Sequence, residues 1–132
     1  MNKTTMIAAA LLSLSTLSSV TAWAGKRWGT EVVIDAANMK AYGSMGTVRA
    51  SADAYQEIGC QVQGLTGTPT TVVCEAVDSS NRHVQCGTTN PSIVQAAQSI
   101  ASNSFVSFQW DVHGTCTTLE VFNYSHNDPI QP

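Results

Sequence analysis

Residues 90–112 read NPSIVQAAQSIASNSFVSFQWDV, and the period of their apolar residues changes halfway along. Asn90 has the side chain of an N-cap, able to accept from the orphan amides of a first helical turn. Pro91 suits the first helical position, where its missing N–H has no intrahelical partner. Ile93, Val94, Ala97, Ile100 and Ala101 then recur at helical spacing and predict one helix over about 91–101, with an apolar stripe that must pack on something. Beyond Asn103 the period drops to two. Val106, Phe108, Trp110 and Val112 alternate with Ser107, Gln109 and Asp111, the pattern of a strand with one face in the core.

Reading towards the C-terminus, His113-Gly114 turns this strand and Thr115 to Ser125 runs back beside it. Reading towards the N-terminus, His83–Thr88, Thr70–Asp78 and Tyr55–Gln63 carry the same alternation, separated by polar, Gly- and Pro-containing turns. They predict an antiparallel meander. A further short strand is expected at Val48–Ala52 and another at Glu31–Ala36, with a short helix over Ala36–Tyr42 stopped by Gly43, Ser44 and Gly46. The fold class is therefore α+β or mainly β, an antiparallel sheet of five or six strands with one helix packed on it.

The first 24 residues read differently. Lys3 precedes an apolar stretch from Met6 to Leu12 that continues to Val20, and Ala22-Trp23-Ala24 sets small residues at the two positions a signal peptidase must accommodate. Ser13, Ser15, Thr16, Ser18, Ser19 and Thr21 interrupt the stretch, which argues for a cleaved signal peptide over a retained anchor. The expectation is a mature protein that starts at Gly25, one disulfide-bonded domain over 25–132 with no membrane span after cleavage. Without Lys3, five basic residues face nine acids, a net charge of −4. Nucleic acid is not expected as a partner, because its binding needs clustered Lys and Arg against phosphates.

Cys60, Cys74, Cys86 and Cys116 all lie in the mature part. An even count in a small exported domain reads as two disulfides, and spacings of this width do not suit a four-thiolate zinc site. A hairpin centred near Gly67 brings Cys60 opposite Cys74, and one near Ser80 brings Cys74 opposite Cys86. The preferred pairing is Cys60 with Cys74 and Cys86 with Cys116, since the second bridge then clamps the helix to the last hairpin.

The run Gly43-Ser-Met-Gly46 with Arg49, Ser51 and Asp53, then Ile58-Gly59-Cys60, and Cys86 through Pro91 to Phe108-Gln-Trp-Asp111 and Gly114-Thr-Cys116, resembles small exported four-cysteine proteins of Gram-negative bacteria. The resemblance covers nearly all of the mature chain. It implies a bacterial export signal and disulfides, and it brings no catalytic or binding residues with it.

Among groups that could carry chemistry, His83, His113 and His126 could ligate a metal with Asp111 or Asp128, but their spacing is not that of a metal site. Glu57 and Glu75 could serve as a carboxylate pair, although solvated acids on outward strand faces are the plainer reading. No nucleophile elbow, zinc-protease helix, phosphate loop or Cys-x-x-Cys is present, so no catalytic residue, metal or cofactor is assigned. Phe105, Phe122 and Tyr124 fall on the parity opposite to their core-like neighbours and are the candidates for a surface patch or a second packed layer. The resulting expectation is a periplasmic or secreted bacterial module of the cell envelope or extracellular space, non-catalytic, binding a protein or envelope component or serving a structural role. A small periplasmic hydrolase or hydrolase inhibitor is the alternative.

Overall fold

The computed structural model describes residues 26–128, and the expected signal peptide of residues 1–24 lies outside them. The chain runs β1 (Val33–Asp35), β2 (Lys40–Ser44), α1 (Met45–Arg49), β3 (Glu57–Gln63), β4 (Thr71–Val77), β5 (His83–Thr88), α2 (Pro91–Gln98), β6 (Phe105–Trp110) and β7 (Cys116–Phe122). The fold is mainly antiparallel β, as the alternation predicts, but its seven strands divide into two sheets. One is ordered β1-β2-β6-β7 and the other β3-β4-β5. The meander β3-β4-β5 keeps Ile58, Val72, Cys74, Ala76 and Cys86 on its buried face. Against them pack Ile34, Ala41, Val106 and Phe108 of the other sheet, in one core.

α2 crosses this core. Its Asn90 cap accepts from Ser92 N (2.9 Å) and Ile93 N (3.4 Å), and Ile93 and Ala97 are its buried stripe. The helix touches β7, β3 and β4, so it spans both sheets. It ends at Gln98, one turn earlier than its apolar pattern suggests, because Ser99 Oγ bonds back to Ala96 O and Ala101 N is taken by Ser104 Oγ.

Four local expectations are corrected. Ala36–Tyr42 is not a helix: residues 36–39 form a turn, with Asp35 accepting from Asn38 and Met39 at φ 48°, and the chain enters β2 at Lys40. Gly43 and Ser44, read as breakers, are strand residues opposite Val106 and Phe105. Val48–Ala52 is not a strand either, since α1 occupies Met45–Arg49 and sets Val48 into the core. Pairing with β6 outweighs local preference at Lys40–Ser44, and burial of a helix face does so at Met45–Arg49. Val112 does not continue β6. It is 80% exposed, because Asp111 ends the strand by accepting His113 N and Thr115 N, both at 2.9 Å.

The disulfides are Cys60–Cys74 and Cys86–Cys116, the preferred pairing. The first joins direct neighbours on β3 and β4. The second joins the two sheets, beside a Gly87 N to Gly114 O bond of 3.0 Å. Replacing Cys86 and Cys116 by Ala is expected to cost about 2–5 kcal/mol in urea unfolding. The same replacement of Cys60 and Cys74 should cost less, by roughly 0.6 kcal/mol from loop length alone, since the closed loop is about half as long.

The β4–β5 turn is held by one buried carboxylate. Asp78 accepts from Ser80 N and Arg82 N at 3.0 Å and from Arg82 Nε at 2.7 Å. Burial works to raise its pKa, but the Arg82 amide and guanidinium and the Ser80 amide outweigh it, so the pKa lies below the ordinary Asp value. A carboxyl whose pKa falls on folding stabilises the protein above its unfolded value and ceases to do so as pH drops through the folded one. Asp78→Asn should therefore lower the urea midpoint at pH 7, and the gap between the two proteins should begin to close below about pH 4 and go on closing as pH falls through the lowered folded value.

Candidate binding surface

The parity that sends Val106 and Phe108 into the core sends Phe105 to the opposite face of β6, directly across from Phe122 on β7. Their rings stack with centroids 5.6 Å apart. The alternation outlasts the strand: Tyr124 stacks on Phe122 at 5.9 Å, and His126 stacks on Tyr124 at 5.0 Å. Trp28 closes the row, 6.1 Å from His126 and 5.1 Å from Phe105. Five rings thus form a circuit on one face of the four-stranded sheet.

Backbone and amide bonds fix the segments that carry these rings. Asn127 Nδ2 donates to Phe122 O at 2.7 Å, and Asn123 Nδ2 donates to Ser99 O at 3.0 Å. Ser104 Oγ bonds Asn123 Oδ1. Trp28 N donates to His126 O at 2.7 Å, and Asp128 N to Trp28 O at 3.1 Å, a parallel pairing of the first described residues with the last. Arg27 meets Asp128 at 3.4 Å, and Thr47 donates to Asp128 at 3.0 Å. A Cβ at Gly29 would collide with Thr47 Oγ1 and the Asp128 carboxylate, so any larger residue there would displace both side chains and the bond between them.

Of the three expected surface aromatics, two are exposed: Phe122 at 36% and Tyr124 at 55%. Phe105 takes the other of the two expected places. It is only 8% exposed, because Trp28 lies over it and makes it the floor of a second packed layer. Trp28 itself, at 41%, and His126 belong to the surface although the sequence reading did not place them there. His126 was detectable as the next step of the Phe122, Tyr124 alternation. Trp28 was not, since its partner is at the other end of the chain. Lys26, Trp28, Phe122, Tyr124 and His126 line a shallow, mostly apolar depression of about 320 Å³.

The other candidate groups remain apart. Asp111 is occupied by the amides of its own turn, which hold its pKa below the ordinary value, the Thr115 amide foremost. His83 lies 3.6 Å from Glu75 on the outer face of the meander, both half exposed. Glu57 and Glu75 border a depression over Gly59, in contact with solvent. Among the described residues no three His, Cys, Asp or Glu side chains gather as metal ligands would, and no helix is long and apolar enough to cross a membrane.

Comparison with protein-family models, with curated proteins and with solved structures finds no match for this chain. The packing of the circuit makes its members separable by unfolding experiments. Phe105→Ala should cost about 3–5 kcal/mol as a buried large-to-small change. Tyr124→Ala should stay within about 0.5–1 kcal/mol. Similar losses at both positions would contradict the layered packing.

Proposed function

We propose that this chain is an exported, non-catalytic binding module that engages a protein partner through Trp28, Phe122, Tyr124 and His126. The observation that carries the reading is the exposed aromatic row, held on both sides by backbone bonds before any partner arrives. Exposed contiguous aromatic surface is rare on a small monomer and marks interaction sites. Rigid rings lose little conformational freedom on binding, which is why aromatic residues dominate interface hot spots.

The stacking favours a protein over a sugar. Phe122 and Tyr124 each have a ring neighbour on either side, so the broad face on which a sugar ring packs is already taken. An apolar anchor side chain can still enter the depression that Trp28, Phe122 and Tyr124 border. Lys26 at the rim complements an acidic residue beside that anchor. The two disulfides fit an oxidising compartment, and the signal-like N-terminus supports export to the periplasm or medium of a bacterial cell.

The test has two arms. Expressed with residues 1–24 in a Gram-negative host, the recovered protein should begin at Gly25 and lie outside the cytoplasm. A partner captured from periplasm or medium should then bind the Tyr124→Ala variant at least about tenfold more weakly, and a Phe122→Ser, Tyr124→Ala double variant more weakly still. Equal affinity for wild type and double variant would overturn the reading.

A further inference from the structure

β3 is an end strand of its sheet, seven residues long, without proline or lysine. Cys60 and Cys74 are opposed with Cα atoms 4.0 Å apart, the short spacing of a non-hydrogen-bonded antiparallel pair. The Gly87 N–H, which leaves its sheet to reach Gly114 O, fixes the same alternation from the other side. The N–H and C=O groups of Ile58, Cys60 and Val62 therefore point away from β4, and among the described residues no backbone or side-chain group bonds them. Natural edge strands of this length are usually blunted by charge, proline, a bulge or a covering segment. Here one charge, Glu57, stands at one end, and α1 packs beside that same end.

We infer that a second copy of this chain adds to this edge, β3 against β3 in antiparallel sense about a two-fold axis at Cys60, to make a continuous six-stranded sheet. This register overlaps all seven residues and sets Cys60 opposite its counterpart, with Ile58 opposite Val62 of the second copy, so every outward N–H and C=O of those three residues finds a partner. The side chains agree with it. Glu57 meets the neutral Gln63 of the other copy instead of a like charge. Gly59 leaves open space, with nothing within 4 Å of where a Cβ would stand, and the Gln61 of the other copy comes to lie over it. The half-exposed Val62 approaches a depression of about 330 Å³ beside Ile58, bordered by Met45, Val48 and Arg49 of α1. Charge, space and hydrogen-bonding pattern thus suit a second copy in this register. This surface is distinct from the aromatic row, so the inference does not rest on the proposed partner binding.

Light scattering and sedimentation of the disulfide-intact protein, from micromolar to millimolar concentration, should show a reversible monomer–dimer equilibrium. Val62→Pro removes an N–H that no described group uses within the monomer, at an edge position where proline is tolerated. It should raise the dimer dissociation constant at least about tenfold, because two symmetry-related hydrogen bonds are lost. Tyr124→Ala should leave that constant unchanged. If Val62→Pro does not fold, amide exchange of the wild type decides: the Cys60 and Val62 amides should become protected as concentration rises. A protein that stays monomeric throughout, a dimer indifferent to Val62→Pro, or a dimer that leaves these amides unprotected would overturn the inference.

Discussion

The Cys86–Cys116 bridge is the point on which the architecture turns. The meander and the four-stranded sheet share a core, but they are separate hydrogen-bonded sheets, and their bond-level connection is concentrated where β5 passes β7. There the disulfide sits next to the Gly87–Gly114 bond, with both cysteines buried. α2 then lies across the two sheets and closes the core that this junction brings together. A domain of this size has little apolar area to lose, and a covalent tie limits how far the sheets can part when thermal motion opens the core.

The surface follows from the β6–β7 ladder that begins beside this junction. Fixing β7 against β6 puts Phe122 opposite Phe105, and the alternation of an extended chain then carries Tyr124 and His126 along the same face. That row would be a frayed tail without the amide bonds of Asn123 and Asn127 and the pairing with Trp28. Four aspartates do comparable work at the turns: Asp35, Asp53, Asp78 and Asp111 each accept backbone amides, so the acidic surplus of the chain is partly a set of turn braces.

Much of this was legible in the sequence where periodicity was strict. The alternation around Phe108 placed β6, and Asn90-Pro91 placed the start of α2; hairpin geometry allowed Cys74 to meet either Cys60 or Cys86, and the clamp that Cys86–Cys116 would make decided for Cys60. Legibility failed where tertiary contacts decide. Gly43 and Ser44 read as breakers because no local pattern shows that β6 lies beside them, and the five residues of α1 are too few to display a period. The division into two sheets could not be read because alternation gives each strand's faces and not its neighbours. In the aromatic surface, Phe122 and Tyr124 followed from parity. Phe105 was assigned a correct face, but its cover came from Trp28, a residue no local rule connects to it.

The parallel pairing of Trp28 with the chain near Asn127 also has a mechanical meaning. Two terminal segments that run in the same direction, pulled apart by their outer ends, slide along one another, so their bonds are loaded together instead of peeling one by one. The Arg27–Asp128 ion pair and the Thr47–Asp128 bond lie at the same clasp. Once the clasp yields, the cross-links at Cys60–Cys74 and Cys86–Cys116 cap the length of chain that can be drawn out. A domain tethered at both ends would thus resist tension first at its aromatic face, and that face would be the part remodelled by force.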